Sequence, residues 1–400
     1  MTYFLLPRTF SKTFQNIEYS ELSCNTSPIF ISGTLSHFLS SMKERISSKE
    51  NAWDIYKKYT NPYEYIHTPI PLKRRSISKV KPISRSYFKM IEMTELFGLL
   101  HKYQSKNIQS FHLAEGPGGF IEALATLRNN TQDKYYGMTL IDKDPRSNIP
   151  TWKKSSEFLG RFPNVILESG ADKTGNILVL ENLRYCKENY ESSMDIITGD
   201  GGFDFSIDFN YQEISIAKLL YGQFSFAVTM QKKGGHFILK IFDSFMKHTI
   251  DILYLLSSFY EKVYIVKPKT SRYANSEKYI VCTGFLYDSV DEYYPFIESG
   301  FIQMNKREEN VSCRFLKISL PYYFIQKIEE HNSIFGQKQI QNIYYTLSLI
   351  DNRHKHDKLD MLIRSNIQKS IDWCIKYNIS YNNLLQSSNI FSDNINNISK

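Results

Sequence analysis

The segment from Phe111 to Leu127 reads FHLAEGPGGFIEALATL, and it decides the fold. A short apolar run leads into a glycine-rich turn over residues 115–120 (EGPGGF), and apolar residues then recur at the three- and four-residue spacing of a helix. Glycines between a strand and a helix let the backbone pass close to a ligand and present the helix N-terminal amides to it. We therefore predict a nucleotide-type cofactor turn, with a purely structural turn as the alternative.

The chain from about Phe111 to Phe285 alternates short apolar runs with longer amphipathic ones. This alternation predicts an α/β fold in which strands and helices build a mostly parallel, covered sheet. The seven strand candidates are 111–115, 135–140, 164–168, 195–198, 236–242, 262–266 and 278–283. The helix candidates among them include 120–127, 212–230 and 245–260. The last two strands are separated by only the polar stretch 267–277, which is too short for a helical crossover, so we expect them to pair antiparallel.

Length and composition set the class of protein. With 400 residues, 42% of them hydrophobic, the chain can bury a large core, and its net charge of +8 modestly favours a polyanionic partner. The five cysteines form no CxxC pair and no metal-ligand spacing with the nine histidines, so we expect no metal site and a reducing environment. No apolar segment approaches the roughly 18 residues of a membrane span, nor the length of a signal peptide. We expect a soluble, intracellular protein with no membrane association.

The regions on either side of the alternating pattern differ from it. Residues 1–80 contain a basic run at 73–75 (KRR) and interleaved aromatic residues over 59–67, which suit phosphates and stacked bases. An ordinary solvated loop with tyrosines packed on the core is the alternative. Residues 291–400 show helical periodicity near 322–328, 340–350 and 359–375. We therefore predict an RNA-contacting N-terminal extension (1–80), a central domain (81–290) and a mostly helical C-terminal appendage (291–400).

Four ionisable residues stand inside distinctive local motifs. Lys240 lies at the end of an apolar strand, and Asp200 follows another strand within 199–203 (GDGGF). A buried lysine with a lowered pKa can accept a proton at neutral pH, whereas the alternative is a snorkelling edge lysine. An Asp-Gly-Gly sequence is often a plain turn. Lys89 in 84–90 (SRSYFKM) and Glu277 in 271–277 (SRYANSE) would, taken singly, be read as surface charges.

Together these motifs resemble the RrmJ/FtsJ-like family of 2′-O-ribose methyltransferases, whose members carry a Lys-Asp-Lys-Glu tetrad in this chain order. The resemblance covers about residues 80–290. The sequences around Asp200, Lys240 and Glu277 are most similar to the mRNA cap branch, because the bacterial ribosomal RNA branch tends to have Asp-Met-Ala-Pro where this chain has Asp-Gly-Gly-Phe. The glycine turn also lacks the GxGxxG spacing of dinucleotide sites, and its order points to S-adenosylmethionine.

The resemblance implies a Rossmann-like methyltransferase fold with a seven-stranded, mostly parallel sheet and one antiparallel strand. It implies a cap-specific 2′-O-methyltransferase that acts on the first or a nearby nucleotide of 5′-capped mRNA, with Lys240 as general base. The implied catalytic residues are Lys89, Asp200, Lys240 and Glu277. The implied S-adenosylmethionine-binding residues are Glu115, Gly116, Pro117, Gly118, Gly119, Phe120, Asp172, Asn176, Ile177 and Asp200. The implied RNA-binding residues are Arg85, Asn210, Tyr211, Gln212, Arg272 and Asn275.

Three other functions stay open at this point. A ribosomal or transfer RNA ribose methyltransferase would use the same tetrad. A non-catalytic RNA-binding subunit of methyltransferase-like fold would be free to lose Lys240 or Asp200, so the intact tetrad argues against it. A nicotinamide-dependent dehydrogenase would leave the four charged motifs without a purpose. A partner from the capping machinery is also left open.

Overall fold

The computed structural model describes residues 3–9, 12–22, 27–71, 73–141, 151–202, 212–306 and 311–382. The strands in these ranges are β1 (Tyr3–Leu5), β2 (Ile17–Glu21), β3 (Gln109–Leu113), β4 (Lys134–Met138), β5 (Val165–Glu168), β6 (Met194–Gly199), β7 (Gln231–Ile241), β8 (Tyr260–Val266), β9 (Lys278–Phe285) and β10 (Cys313–Leu316). The α-helices are α1 (Gly33–Ser47), α2 (Glu50–Tyr56), α3 (Ser86–Leu96), α4 (Gly119–Arg128), α5 (Ser156–Arg161), α6 (Leu180–Tyr190), α7 (Gln212–Ser215), α8 (Ala217–Met230), α9 (Lys247–Phe259), α10 (Tyr294–Asn305), α11 (Tyr322–Asp351) and α12 (His356–Lys376).

The central sheet has eight strands in the order β1-β8-β9-β7-β6-β3-β4-β5. Strands β5, β4, β3, β6 and β7 run parallel, while β9 is antiparallel to both β7 and β8. The predicted α/β class and the antiparallel pairing of the last two strands are confirmed. The sheet exceeds the predicted seven strands because β1, which the sequence placed in the N-terminal extension, pairs antiparallel with the edge of β8. Strands β2 and β10 form a separate two-stranded sheet.

Helices cover both faces of the sheet, as a buried parallel sheet requires. Along β7, Phe237 and Leu239 belong to one hydrophobic cluster with residues of α8 and α9, whereas Ile238 belongs to a second cluster with residues of α3, α4 and α12. This alternation follows from the two-residue period of a strand. The carboxyl ends of β3, β6 and β7 therefore lie at one edge of a fully covered sheet, where ligands bind in folds of this kind.

The C-terminal region packs directly on this core. The periodic stretches 322–328 and 340–350 belong to the single helix α11, and 359–375 falls within α12. In α12, Trp373 donates its indole N–H to buried Glu92 Oε1 of α3 at 2.7 Å. Helix α11 also packs against α1 and α2 of the N-terminal region. The division at residues 80 and 290 stays a prediction, and both flanking regions lie against the sheet.

None of the described helices has the length and apolar character needed to cross a bilayer. Within the described ranges, no cluster of three or more His, Cys, Asp or Glu side chains is arranged to hold a metal ion.

Candidate active site

The glycine turn joins the carboxyl end of β3 to the N-terminus of α4. Gly118 has a φ of 110°, a backbone conformation that residues with a Cβ rarely adopt. The turn is fixed from within, because the Phe120 N–H donates to Glu115 Oε1 at 2.6 Å and the Gly118 N–H donates to the Glu115 carbonyl at 2.7 Å. Glu115 Oε2 is also buried but has no hydrogen-bond partner among the described residues. Burial, with the neighbouring Asp200 second, raises the pKa of Glu115 well above its usual 4.5.

A second glycine of the turn brings α3 close to the site. A Cβ at Gly119 would overlap the hydroxyl groups of Ser84 and Ser86, which contact one another at the start of α3. Because position 119 has no side chain, the first turn of α3 can lie against the glycine turn. This close contact between α3 and the turn places Lys89, and Arg85 four residues before it, at the same edge of the sheet as the turn.

Asp200 directly follows β6, Lys240 is the second-last residue of the neighbouring parallel strand β7, and the two meet at the sheet's edge. Lys240 Nζ donates to the Asp200 main-chain carbonyl at 2.7 Å and lies 3.3 Å from its carboxylate Oδ1. The glycines beside Asp200 make room, since a Cβ at Gly202 would lie 3.2 Å from the Lys240 ammonium. The Asp200 N–H donates to the Leu113 carbonyl at 3.3 Å, which ties this loop to the end of β3. The Asp-Gly-Gly sequence thus packs against a lysine.

Lys89 and Glu277 form the other half of the tetrad. Lys89 Nζ lies 2.7 Å from Glu277 Oε1 and 2.8 Å from Oε2, so it contacts both carboxylate oxygens. Burial would raise the pKa of Glu277, but the charges of Lys89 and then Lys240 outweigh it and lower that pKa to about 2. Lys89 and Glu277 are therefore not the surface charges that each would be taken for from the sequence alone.

Tyr279 connects the two pairs. Its position on β9 is directly opposite Lys240 on β7, and its side chain is fully buried. The Tyr279 hydroxyl donates to Asp200 Oδ1 at 3.1 Å and accepts from Lys89 Nζ at 3.4 Å. Its ring centroid lies 5.8 Å from that of Phe120 in the glycine turn. One tyrosine therefore contacts both ion pairs and the predicted cofactor turn.

The loop between β8 and β9, residues 267–277, is held by buried side chains along its length. Glu92 on α3 accepts hydrogen bonds from the N–H groups of Lys269 at 2.7 Å and Thr270 at 2.9 Å. Lys267 Nζ donates to the carbonyls of Asn275 and Glu277, each at 2.7 Å. Burial lowers the pKa of Lys267 to about 7. These contacts fix the backbone that carries Glu277.

Arg85 and Arg272, two predicted RNA-binding residues, converge on one buried carboxylate. Arg272 Nη2 lies 2.6 Å from Glu64 Oε1, and Arg85 Nη1 lies 3.5 Å from Glu64 Oε2. Burial would raise the pKa of Glu64, but the hydrogen bond from Arg272 and the charges of both arginines lower it well below its usual value. The two guanidinium groups are thereby held together beside the tetrad loop.

The remaining predicted site residues that the structure describes lie in the loop after β5 and in a cavity beside Arg272. Asp172 is exposed in the loop after β5, where its carboxylate accepts from Thr174 and Asn182. In the same loop Asn176 Oδ1 accepts from the Leu178 N–H at 2.9 Å, and Ile177 is buried in the core. Gln212 and Asn275 line one cavity together with Arg272. Asn210 and Tyr211 lie outside the described residues.

Sequence reasoning missed two residues of this centre, Tyr279 and Glu64. Tyr279 is the second residue of β9 and stands two positions after Glu277, and this short spacing was the available signal. Glu64 lies in the basic and aromatic segment that was expected to contact RNA. Within that segment Tyr65 is buried in the core, whereas residues 73–75 are exposed. No local pattern marks Glu64, because its arginine partner Arg272 is distant in sequence.

Comparison with known proteins adds to this geometry. The FtsJ-like methyltransferase family matches residues 82–285, just over half of the chain. The chain belongs to the FtsJ-like methyltransferase family. The matched region contains all four residues of the tetrad and the glycine turn. This assignment confirms the resemblance drawn from the sequence motifs.

Curated relatives of this FtsJ-like chain carry cap-specific names. A cap-specific mRNA (nucleoside-2'-O-)-methyltransferase 1 from Trypanosoma brucei brucei is 35% identical over 173 residues, 43% of this chain and 45% of that protein. A cap-specific mRNA (nucleoside-2'-O-)-methyltransferase 2 from Drosophila melanogaster is 26% identical over 298 residues, 70% of this chain and 41% of that protein. The human cap-specific mRNA (nucleoside-2'-O-)-methyltransferase 1 is 30% identical over 291 residues, 68% of this chain and 34% of that protein. The chain spans less than half the length of these relatives.

Among solved structures, human methyltransferase-like protein 13 in complex with SAH aligns with a TM-score of 0.36 and 11% identity. The alignment covers 55% of this chain and 93% of that one. A similarity of this size carries no argument about function.

Proposed function

We propose that the protein transfers a methyl group from S-adenosylmethionine to a ribose 2′-hydroxyl at the first, or a nearby, nucleotide of 5′-capped mRNA. The observation that carries the proposal is the convergence of Lys89, Asp200, Lys240 and Glu277 at one sheet edge beside the glycine turn. The cap-specific names of the curated relatives support the choice of RNA.

The glycine turn fits the cofactor. Gly118 has a positive φ that leads the chain into the first turn of α4, and Glu115 Oε2 is a buried oxygen without a hydrogen-bond partner among the described residues. A cofactor that brings an ammonium group and hydroxyl groups matches such a turn, since amides, carboxylate and open backbone can all bind it. We assign the 115–120 turn and the loop carrying Asp172, Asn176 and Ile177 to cofactor binding. When bound, S-adenosylmethionine supplies an electrophilic methyl group.

Lys240 accepts the proton of the attacking hydroxyl. In its uncharged form, Nζ carries a lone pair, and the hydrogen bond to the Asp200 carbonyl holds that nitrogen in place. The proton of the ribose hydroxyl would move to Nζ while the methyl carbon exchanges its bond to the cofactor sulfur for a bond to the ribose oxygen. The cofactor would leave as a neutral thioether, and the proton would pass later from Nζ to water. A positioned base contributes about two to four decades of rate.

Four side chains orient the base and the target hydroxyl: Asp200, Tyr279, Lys89 and Glu277. Asp200 contacts Lys240 directly, and the Tyr279 hydroxyl fixes the Asp200 carboxylate. Lys89 is itself held by Glu277. Such a network limits the motion of the reacting groups, and alignment of two bound reactants is worth roughly 7 to 11 kcal/mol.

Arg85 and Arg272 contact RNA phosphates in this proposal. Both are held by Glu64 next to the loop that carries Glu277, and a fixed guanidinium group presents paired N–H donors to phosphate oxygens. Asn275 and Gln212 lie on the same side and would bind the first nucleotides. We extend this assignment to Asn210 and Tyr211 on the basis of the family resemblance alone.

The test is transfer of labelled methyl from S-adenosylmethionine to a panel of short RNAs. The panel contains capped and uncapped forms of one sequence, and capped forms with a 2′-deoxy sugar at the first, second or third nucleotide. We expect label only on capped RNA and its loss at one deoxy position. Equal labelling of uncapped RNA, or of ribosomal or transfer RNA fragments, would replace the cap proposal with a different RNA substrate, and no labelling with measurable cofactor binding would indicate a binding subunit.

A further inference from the structure

A cavity of about 590 Å³ lies between the β8–β9 loop and α11, outside the groups that the proposed chemistry uses. We call it the α11 cavity. One wall comes from the loop, with Lys269, Tyr273 and Asn275, and the other comes from α11, with Lys338 and Tyr345 among others. Its volume is that of a small-molecule or nucleotide site. The α11 wall lies beyond residue 285, where the family match ends.

The lining of the α11 cavity is basic, aromatic and amide-rich. None of the described residues that line it is Asp or Glu. Tyr273, Phe335 and Tyr345 supply rings, and Lys269 and Lys338 supply cationic groups. Lysines beside aromatic rings are the combination that binds phosphates and stacks bases of single-stranded RNA.

Several of these groups also have contacts within the protein. Lys269 Nζ lies 5.4 Å from the centroid of the Tyr63 ring, and Lys358 Nζ of α12 lies 5.1 Å from that of Tyr345. Two further lysines of the lining make structural contacts. Lys267 holds the loop backbone through the Glu277 carbonyl, and Lys278 Nζ lies 3.8 Å from Asp243 Oδ1. Lys338 Nζ lies 5.8 Å from the ring centroid of Phe335, which also lines the cavity. We assign Lys269 and Lys338 to phosphate because they stand beside the aromatic rings of the lining.

The α11 cavity adjoins a smaller one that lies near the tetrad, since Lys240 Nζ is 5.9 Å from the ring centroid of Phe242. The second cavity has a volume of about 250 Å³ and is lined by Phe242, two residues after Lys240, and by Arg272. The two cavities share Asn275 and Ser276 of the loop, and Gln339 and Asn342 of α11. The two cavities therefore lie side by side along the loop, separated by the contact of Gln339 Nε2 with the Ala274 carbonyl at 3.1 Å and with Ser276 Oγ at 3.2 Å.

We propose that the α11 cavity binds a nucleotide of the RNA substrate adjacent to the modified end, with its base against Tyr345 and its phosphate near Lys338 and Lys269. The proposal rests on the proposed function for the identity of the polymer. The C-terminal helix is then part of the RNA-binding surface. The nucleotide comes either from the 5′ side or from the 3′ side of the reacting ribose, and both sources offer the same base-and-phosphate chemistry.

The test compares two neighbouring tyrosines of α11. Tyr345 lines the cavity, whereas Tyr344 is 60% exposed and does not. We expect Tyr345→Ala to weaken binding of a fluorescently labelled capped RNA by roughly 5- to 100-fold in an anisotropy titration, the worth of one stacked base. Tyr344→Ala should leave the Kd within about twofold, and Tyr345→Phe should keep the wild-type Kd because the ring remains.

Two further measurements strengthen the comparison. Lys338→Ala should reduce the slope of log K against log salt by about 0.7, the value for one phosphate contact on a single strand. Titrations with uncapped RNA and with RNAs shortened from the 3′ end identify which nucleotide occupies the cavity. An RNA that lacks this nucleotide will bind wild type and Tyr345→Ala with the same Kd.

Equal Kd values for folded Tyr345→Ala and Tyr344→Ala on every RNA would overturn the proposal. A folded Tyr345→Phe variant with weakened binding would also do so. The binding titration does not depend on methyl transfer. The proposal for the α11 cavity can therefore be wrong while the proposed methyltransferase activity is right. Wild-type protein that binds RNA through Tyr345 but transfers no methyl group would overturn the proposed function alone.

Discussion

The two ion pairs of the tetrad contrast in how completely their charges are satisfied. Lys89 contacts both carboxylate oxygens of Glu277, at 2.7 and 2.8 Å. Lys240 instead makes its short contact, 2.7 Å, with the Asp200 carbonyl, and the carboxylate lies further away at 3.3 Å. Lys89 is thus held by both oxygens of a charged carboxylate, whereas Lys240 is held mainly by a neutral carbonyl. We propose that the first pair is an anchor and that the second does the chemistry.

The largest effect should come from Lys240→Ala. Removal of the base should lower kcat by roughly a thousandfold, within the range for a positioned proton acceptor. S-adenosylmethionine binding, measured by calorimetry, should persist because the glycine turn is unchanged. The matched control is Lys262→Ala, which removes an exposed lysine from the same sheet and should leave kcat unchanged. Methyl transfer at the wild-type rate by a folded Lys240→Ala protein would show that Lys240 is not the base.

The anchor role of the other pair is tested by Glu277→Gln. Loss of the carboxylate leaves the charge of Lys89 buried without its partner, so the free energy of unfolding at pH 7 should fall by about 3 kcal/mol. Urea denaturation measures this change. The control is Glu330→Gln at the surface pair Lys327–Glu330, where the Nζ to Oε2 distance is 2.6 Å and Glu330 is half exposed. That change should cost under about 1 kcal/mol.

The same variant has a pH signature. The pKa of Glu277 is lowered from its ordinary 4.5 to about 2, so its charged form stabilises the fold above pH 4.5 and that stabilisation is lost as the pH falls toward 2. The difference in unfolding free energy between wild type and Glu277→Gln should therefore shrink over this interval. A difference that stays constant from pH 6 to pH 3 would contradict the anchor role.

Tyr279→Phe should have the smallest effect of the three. It removes a hydroxyl that donates to Asp200 and accepts from Lys89 but keeps the buried ring, so kcat should fall about tenfold while the KM values for RNA and cofactor stay unchanged. The matched control is Tyr260→Phe, an equally buried tyrosine of the neighbouring strand whose hydroxyl donates to Gln231 at 3.1 Å. Equal losses in both variants would mean that Tyr279 acts only through general packing.

The sequence predicted those parts of the site that depend on local motifs at strand ends. Lys240 and Asp200 could be brought together because the carboxyl ends of neighbouring parallel strands meet at one edge. Tyr279 could not be placed beside them from the sequence. Its position opposite Lys240 depends on the register of an antiparallel strand pair, which composition alone leaves open. The contact of Glu64 with Arg272 and the pairing of β1 with β8 join residues far apart in sequence, where no periodicity applies.

Strand β1 has a consequence for how the chain folds during synthesis. Phe4 pairs with Ile265, so the ribosome makes this strand about 260 residues before its partner emerges. Until then β1 has no partner, and an unpaired strand edge is a template for pairing with other chains. Such a distant contact is also slow to form because a long loop must be closed first. Strand β1 therefore covers the outer edge of β8, and prevents that edge from pairing with other chains, only when the sheet is nearly complete.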